Sequence, residues 1–350
     1  MGSTMAVKST VVGVAAVAAL AAGAVLAVAG PGGGRGGALD LDERSLVYVD
    51  EAAKRVAQDP GGVSGVECLR SYTAGGTLVC LHAVALPPGF SATVLNDDLE
   101  VVREIRLDGT PSRARVSPSG RMAAWTVFRS GDSYLPAGYF STTATILDTE
   151  TGTLYGSLED FTSIVDGKPY AAEDRNYWGV TIAEDDNLFY ATMSSKGKTW
   201  LMRGDLAART LTAVRQNAEC PSLSPDGTRV AYKVRTGEKW RLHVLDLATG
   251  ADTPTAETAH VDDQAAWLDD RTIAYSRPGP GGKPAVYAVP ADGSGARGWS
   301  GRGRPHPRRS RSGSVPVPGQ PVDPRRRVDP TAARPDDRAV AGTRAARCTP

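Results

Sequence analysis

Few residues in this sequence are suited to acid–base or nucleophilic chemistry. The candidate bases are His82, His243 and His260 among only four histidines, and His243 stands on a predicted strand in LHVLD. A nucleophilic triad also needs an activated Ser or Cys with an orienting acid, and a G-x-S-x-G turn is the usual setting in hydrolases. That motif is absent from the sequence. We therefore interpret the histidines as structural or surface residues and expect no catalytic residues.

Adjacent aspartates offer a second kind of chemistry, either general acid catalysis or cation binding. Three such pairs occur: Asp185-Asp186, Asp262-Asp263 and Asp269-Asp270. All three stand in or near predicted turns, where carboxylates are ordinarily solvated. Their spacing does not resemble an EF-hand loop. We expect solvated hairpin residues, with calcium binding or acid catalysis as the alternative.

Metal and phosphate sites also lack their usual patterns. The four Cys show no paired C-x-x-C spacing, and the four His are scattered. The glycine-rich PGGGRGG at residues 31–37 precedes no strand–loop–helix unit, so its glycines fit a linker better than a phosphate-binding loop. We expect no cofactor and no metal.

Aromatic residues cluster in two segments although they make up only 6% of the chain. Such residues are common anchors of protein interfaces. The alternative is that some of them, Trp178 above all, begin strands and pack in the interior. The candidate binding residues are Asp132, Tyr134 and Tyr139 in RSGDSYLPAGYF, and Tyr170, Asp174, Asn176, Tyr177 and Trp178 in the second segment.

The elements that must position these segments are repeated hairpins. Each unit has an apolar residue or two, a polar turn, and then an alternating apolar strand. Looser copies of the turn occur at Ser71, Ala183 and Leu268. Pro at the second turn position fixes φ, and Gly at the fourth accepts positive φ. The two clearest turns are Ser224-Pro225-Asp226-Gly227 and Ser117-Pro118-Ser119-Gly120.

A second landmark follows three of the turns at a constant distance. Ala183 to Asp205, Ser224 to Asp246 and Leu268 to Pro290 are each 22 residues apart. The starts at 183, 224 and 268 give periods of 41 and 44 residues, which is the size of one four-stranded propeller blade. The sequence therefore predicts an all-β propeller with about five recognisable blades and six when complete; an ordinary β-sandwich is the alternative.

One unit is longer than the others. The unit that begins at Ser117 extends 66 residues to the next, with extra residues around 129–140 and 158–177. We expect both inserts in connections, where a rigid scaffold displays functional loops. At the other end, residues 45–60 either supply the outer half of a blade that the C-terminal part of the chain completes, or form a short helix.

The turns at Ser117–Gly120 and Cys220–Lys233, together with LHVLDLATG, resemble the repeats of TolB-like β-propellers, relatives of the WD-repeat proteins. The resemblance covers about residues 65–296. It implies a six-bladed propeller that serves as a platform for protein partners in the cell envelope. In this chain we expect no counterpart of the separate α/β domain that precedes the propeller in periplasmic TolB.

The two ends of the chain differ from the repeats. Residues 1–30 contain an uncharged apolar stretch, 10–30, which predicts a signal peptide or an N-terminal membrane anchor, and 31–38 form a linker. The segment 297–350 has thirteen Arg and nine Pro and no Leu, Ile or Phe. We interpret it as a disordered basic arm, a linker or a frame-shifted segment. The propeller itself spans 39–296.

Export permits disulfides, and Cys68 and Cys80 flank the predicted turn at Thr73-Ala74-Gly75. We expect them to bridge opposite positions of a hairpin, with two buried thiols as the alternative. No partner for Cys220 is evident from the spacing.

The combined prediction is a monomeric, extracytoplasmic, non-enzymatic scaffold with a protein or cell-wall partner. Because the tail has only four Asp against its thirteen Arg while the whole chain has a net charge of +1, the remainder is acidic, which argues against nucleic acid. The alternative function is a propeller enzyme or carbohydrate-binding protein that acts in the central channel.

Overall fold

Short strands and Gly-containing turns build nearly all of the protein. The computed structural model describes residues 39–41, 45–50, 52–129, 141–282 and 284–295. These residues form 24 strands and two 3₁₀ turns in six sheets. The sheets are arranged as the blades of a six-bladed β-propeller, which confirms the predicted fold class and blade number.

Each blade is one continuous stretch of chain. The strands of blades one to three are β1 (Leu46–Asp50), β2 (Arg55–Asp59) and β3 (Val63–Glu67); β4 (Arg70–Ala74), β5 (Thr77–Val84), β6 (Gly89–Leu95) and β7 (Val101–Leu107); and β8 (Thr110–Val116), β9 (Met122–Arg129), β10 (Ser141–Asp148) and β11 (Leu154–Tyr155). The strands of blades four to six are β12 (Thr162–Val165), β13 (Lys168–Pro169), β14 (Asn176–Ile182), β15 (Leu188–Ser195), β16 (Lys198–Asp205) and β17 (Thr210–Gln216); β18 (Glu219–Leu223), β19 (Arg229–Thr236), β20 (Lys239–Asp246) and β21 (Asp252–Pro254); and β22 (Ala266–Asp269), β23 (Thr272–Pro278) and β24 (Pro284–Pro290). The 3₁₀ turns are Leu158–Asp160 and Pro280–Gly282.

The strands of blades two, three and five pair in sequence order with antiparallel neighbours. Blades two to six each have one strand that contacts its counterpart in a neighbouring blade. These strands are β4, β8, β14, β18 and β22. These strands therefore surround the propeller axis, and the later strands lie progressively farther from it.

The predicted turns join the first and second strands of the blades. Ser224 Oγ accepts from Arg229 N at 2.9 Å, and its carbonyl accepts from Gly227 N at 2.8 Å. In the same way, Ser117 Oγ accepts from Met122 N at 3.0 Å, and the Ser117 carbonyl accepts from Gly120 N at 2.9 Å. Both glycines have positive φ. The repeat pattern is thus a set of side-chain-stabilised hairpins.

The second landmark is also a turn device. Asp246 Oδ1 accepts from the backbone N–H groups of Ala248 and Thr249, at 3.1 and 2.8 Å. Asp148 does the same for Glu150 and Thr151. The constant spacing of 22 residues therefore reflects two turns at the same end of each blade, separated by two strands of fixed length.

The core lies between the faces of neighbouring blades. Val79 and Leu81 on β5 pack against Ala123 and Trp125 on β9, and all four are almost completely buried. Alternation along each strand places such residues on one face of the sheet. The hydrophobic effect therefore holds blade against blade, as it does in stacked sheets.

The predicted disulfide is present, with a Cα–Cα distance of 5.5 Å between Cys68 and Cys80. The register differs from the prediction. The turn is at Gly75-Gly76, so Cys80 lies opposite Ser71, and Cys68 comes just before β4. The bridge therefore joins the entrance of the blade to its second strand.

Two other sequence expectations differ from the structure. Residues 45–60 form neither a helix nor part of the last blade; β1 and β2 pair with β3 to make a blade of their own. The second insert is more than a connection, because β12 pairs in parallel with β17 and β13 pairs with β12, giving blade four six strands. The second insert therefore extends the outer edge of blade four by two strands.

The predicted leader 1–30, the linker 31–38, residues 130–140 of the first insert and the tail 297–350 lie outside the described residues. Among the residues that are described, no helix is long and apolar enough to cross a membrane.

Candidate functional site

Strand direction defines two faces of the propeller. In blades two to six, the strand nearest the axis is β4, β8, β14, β18 or β22. We call the face at which these strands begin the mouth face, and the opposite one the turn face. Because consecutive strands are antiparallel, the connection between the second and third strands returns to the mouth face. The turns at Gly120 and Gly227 lie on the turn face.

The first insert starts and finishes at the mouth face, whereas the second starts near the turn face, where Thr162 N donates to Arg209 O, and finishes at the mouth face. The first insert joins β9 to β10, and its flanking residues Arg129 and Ser141 pair with each other. The second insert ends where β14 begins, and there Asn176 Oδ1 accepts from Thr142 N at 3.0 Å. Thr142 Oγ1 donates to Tyr177 O at 2.8 Å. The end of the second insert therefore lies beside the strand that follows the first insert, a relation that the sequence did not reveal.

Tyr170 and Asp174 belong to an ordered part of the second insert. Tyr170 Oη lies 2.8 Å from Ser195 Oγ, and Ser195 Oγ donates to Asp174 Oδ1 at 2.5 Å. Lys196 N donates to Asp174 Oδ2 at 2.6 Å. Burial opposes ionisation of Asp174, but these hydrogen bonds lower its pKa below the usual value. Both side chains are partly exposed on the mouth face.

Tyr177 and Trp178 lie in the interior. Tyr177 is 1% exposed and contacts Ser163 Oγ through its hydroxyl, and Arg175 Nη1 donates to the same Ser163 oxygen at 3.0 Å. Trp178 packs beside Cys220. Their contacts anchor the insert to blade four, as in the packing alternative for Trp178. Asp132, Tyr134 and Tyr139 lie outside the described residues.

The channel mouth contains a cluster of charged side chains, which we call the mouth cluster: Arg113, Glu219, Lys233, Asp262 and Asp263. They come from blades three, five and six. Lys233 is completely buried, and its Nζ lies 2.8 Å from Asp262 Oδ1 and 4.5 Å from the Trp240 ring. Burial lowers the pKa of Lys233, whereas Asp262 opposes that change.

Arg113 and Asp263 form the other side of the mouth cluster. Loss of hydration lowers the pKa of Arg113 to about 9, and the nearby Asp263 carboxylate partly offsets that effect. Desolvation raises the pKa of Asp263, although Arg113 and the N–H of Ser276, at 2.8 Å from Asp263 Oδ2, favour its charged form. Asp262 has a side chain that is 12% exposed, so the cluster reaches solvent at this residue.

Glu219 is the most isolated carboxyl of the mouth cluster. It is 3% exposed, and its Oε1 accepts from Trp240 Nε1 at 3.0 Å. Its Oε2 has no hydrogen-bond partner within the described chain. Burial raises the pKa of Glu219, and Lys233 only partly opposes this shift.

Below the mouth cluster, two side chains close the channel. Arg115 Nη2 donates across the axis to the carbonyls of Gln264 and Ala265, at 3.1 and 2.8 Å, and its guanidinium lies 4.4 Å from the Tyr72 ring. Gln264 Nε2 donates to Val180 O at 3.2 Å and Pro221 O at 2.7 Å. We call Arg115 and Gln264 the channel floor.

The sequence prediction for the Asp262-Asp263 pair was wrong. Both residues were expected to be solvated in a turn, but they are partly buried and belong to the channel, because the segment before β22 runs inward. Asp185 and the pair Asp269-Asp270 are exposed, as expected. A signal was available in RVAYKVRT, where Lys233 occupies an interior position of an apolar strand.

Of the three histidines that the structure describes, only His260 lies near the mouth cluster. His260 Nδ1 accepts from Trp240 N at 3.2 Å. His82 Nε2 contacts Thr93 Oγ1 at 2.8 Å, and His243 Nδ1 lies 3.1 Å from Asp252 Oδ2 near the outer strand of blade five. Each therefore has a local structural partner.

Solved structures with the same fold include TolB proteins and an enzyme. TolB from Acinetobacter baumannii is 17% identical, with a TM-score of 0.49, over 71% of this chain and 61% of that chain. A putative TolB from Agrobacterium tumefaciens is 11% identical, with a TM-score of 0.47, over 73% and 87% of the two chains. An oligogalacturonate lyase from Vibrio parahaemolyticus is 11% identical, with a TM-score of 0.42, over 72% and 87%.

These likenesses concern the fold. The chain spans about 61% of the length of the Acinetobacter TolB. TolB-like propellers are among the structures that it resembles, as its repeats predict. The sequence matches no protein-family model and no curated protein sequence at a significant level.

Proposed function

We propose that this protein is an extracytoplasmic, non-enzymatic binding scaffold whose mouth face contacts a protein or cell-envelope partner. The observation that carries the proposal is that the end of the second insert, at Asn176, binds Thr142, on the strand that follows the first insert, at one face. Loops on a rigid scaffold commonly carry binding residues.

The extension of blade four supports recognition through loops. Its outermost strand, β13, has only two residues, and both Lys168 and Pro169 are exposed. A short edge strand with Lys and Pro resists pairing with a foreign strand. The ordered loop that follows, with Tyr170 and Asp174 held by Ser195 and Lys196, remains available for side-chain contacts.

The proposed location outside the cytoplasm has two supports. The disulfide between Cys68 and Cys80 fits an oxidising compartment. The apolar segment at residues 10–30 fits an export signal or an anchor.

Site-specific photo-crosslinking tests the scaffold function. A photoreactive amino acid replaces Glu173, which is exposed on the mouth face, and in a matched variant replaces Glu150, which is exposed on the turn face. After irradiation of cells, we expect a discrete adduct from position 173 and none from position 150. Identical adducts from both positions, or none from either, would contradict the proposal.

A second candidate function is the binding of a small ligand in the central channel. The mouth cluster favours it, because structural packing alone does not require charged groups from three blades to meet at the axis. The lyase resembles this protein in its fold only.

A further inference from the structure

We propose that β7, the outer strand of blade two, pairs with β7 of a second copy of this chain, in an antiparallel register centred on Ile105. Such a dimer differs from the monomer that the sequence predicts. It leaves the mouth face free for the partner proposed above, because β7 lies on the outer side of the ring.

Five of the six blades end in an outer strand that is poorly suited to pairing with another chain. The outer strands of blades three, four and five have only two or three residues, and those of blades four and five contain Pro. In blade six, β24 has Pro at both ends, and in blade one β3 contains Gly65. Short length, Pro and Gly all weaken a strand edge as a template for a foreign strand.

The edge of β7 lacks these protections. The strand extends over seven residues, Val101–Leu107, without Pro, Gly or Lys, and in the described part of the chain only β6 pairs with it. Val101 and Val102 are 48% and 43% exposed, and Arg103 and Glu104 are exposed as well. The N–H and C=O groups on the outer side of such an edge are available to a second strand.

The regular part of this edge is the segment Arg103–Leu107. The pairing of β7 with β6 skips Val102, which therefore forms a bulge. Five residues can pair without interruption, and their middle residue is Ile105. Because opposed residues in an antiparallel pair point to the same face, the axis of a twofold dimer passes through one residue and its own counterpart.

The charges of the segment match each other when that residue is Ile105. Glu104 of each copy then lies opposite Arg106 of the other, which gives two pairs of opposite charge on one face of the joined sheet. If the axis passed through Arg103, Glu104 or Arg106, like charges would lie directly opposite each other. Glu104 and Arg106 are both exposed, and a hydrogen bond from Arg106 to the Pro87 carbonyl leaves its charge in place.

Exposed apolar side chains support the same arrangement. Val101 and Val102 lie at the start of β7, whereas Leu86, which is 87% exposed, lies in the loop at its other end. Antiparallel pairing brings the start of β7 in one copy next to the end of β7 in the other. The valines of each copy therefore approach Leu86 of its partner, and the loss of exposed apolar surface favours association.

Sedimentation equilibrium of the full chain at increasing concentrations tests for the dimer. We expect the average mass to rise from that of one chain towards that of two, and the dimer to be reversible, because pairing of five residues gives a small interface. A mass that stays that of one chain at every concentration overturns the proposal. A mass that rises beyond two chains overturns the closed twofold register.

Charge reversal locates the interface. Glu104→Arg places like charges opposite each other in both pairs, so we expect the dissociation constant of the dimer to rise about tenfold. Glu104→Arg combined with Arg106→Glu exchanges the charges and should restore the wild-type constant. The matched control is Glu184→Arg, at an exposed turn of blade four, with an unchanged constant. An unchanged constant in Glu104→Arg, or no recovery in the double variant, overturns the register.

A second variant tests the register if Glu104→Arg does not fold by circular dichroism. In Ile105→Cys, the two substituted side chains lie opposite each other at a Cα–Cα distance that a disulfide can span. After oxidation of the full chain by glutathione disulfide, we expect a dimer linked through position 105 in peptide maps made without reduction. Val214→Cys, at a position 45% exposed in blade four, should give no such link. A missing link at position 105 overturns the register.

Discussion

Carboxylates in the turn-face hairpins and two carboxylates of the mouth cluster have opposite properties. On the turn face, hydrogen bonds and the nearby guanidinium of Arg121 lower the pKa of Asp148 to about 2. At the channel mouth, burial raises the pKa values of Glu219 and Asp263. The carboxylate of Asp148 therefore favours its charged form, whereas the carboxyls of Glu219 and Asp263 favour their neutral form.

The origin of the difference is whether the partners come from the same blade, as Arg121 and Asp148 do, or from different blades. Asp226 accepts from Ser224 Oγ, Thr228 N and Arg229 Nη2, all within three residues, and these bonds lower its pKa although burial opposes them. In the mouth cluster, Lys233 and Asp262 are separated by 29 residues and belong to different blades. Local partners form wherever the turn forms, whereas long-range partners require the closed arrangement of blades.

Removal of the buried cation should give the largest effect. Lys233→Met retains the aliphatic bulk but leaves Asp262 without its ion-pair partner, so we expect a loss of about 3 kcal/mol in the free energy of unfolding. Urea denaturation at pH 7 measures it. Lys239→Met, at an exposed position, should stay within about 0.5 kcal/mol of the wild type. A small effect at Lys233 would mean that the mouth is well hydrated.

The turn face offers a matched pair of glycines. A Cβ on Gly120 would lie 2.2 Å from Gly75 O of the neighbouring blade, and φ is +82°. Gly227 has φ of +69° but no atom within 4 Å of such a Cβ. We expect Gly120→Ala to cost about 2–4 kcal/mol, from strain and overpacking, and Gly227→Ala about 1 kcal/mol.

Thermal and urea unfolding of both glycine variants provide the measurement. Equal losses in the two variants would show that blades two and three do not approach each other as closely as Gly75 and Gly120 do here.

The third effect is pH-dependent. Because the folded pKa of Asp148 is depressed from 3.8 to about 2, its ionised form contributes stability above pH 4, and that contribution is lost as the pH falls through 2. Since Arg121 is 40% exposed, we expect only about 1 kcal/mol. Asp148→Asn should be less stable than the wild type at pH 6, and the two free energies of unfolding should converge near pH 2.

Glu219→Gln should show the smallest effect and the opposite sign. The folded carboxyl keeps its proton after the unfolded chain has released its own, so wild-type stability decreases as the pH rises above 4.5. The variant lacks this loss. Its Tm should equal that of the wild type near pH 4 and exceed it by about 2–4 °C at pH 8. A lower Tm at pH 8 would show that ionised Glu219 stabilises the mouth.

The fold was predictable because its signals are local. Pro225, Gly227 and Asp246 act within a few residues of their own position, and their spacing repeats with each blade. The mouth cluster was not predictable, because burial of Asp263 depends on Arg113, 150 residues earlier. The register of the Cys68–Cys80 hairpin was missed because two glycines, rather than Thr73-Ala74-Gly75, form its turn.

In the proposed binding surface, too, the sequence revealed the local pattern but not the long-range contacts. Sequence clustering found the second insert but could not separate the exposed Tyr170 loop from Tyr177, which packs inside blade four. Tyr177 stands where the insert ends and β14 begins, so its sequence position fits both an exposed loop residue and a buried strand residue. Only the facing residues of the next blade distinguish them.

Every sheet in the described chain is built from one uninterrupted segment, including the six strands of blade four. A chain that emerges progressively from a narrow translocation pore, N-terminus first, can therefore complete blade one before blade two has left the pore, and so on around the ring. No early strand waits at an open edge for a late partner, which limits the exposure of unpaired strands during biogenesis. For the same reason, new termini placed between any two blades, with the old ones joined, should leave all six sheets whole.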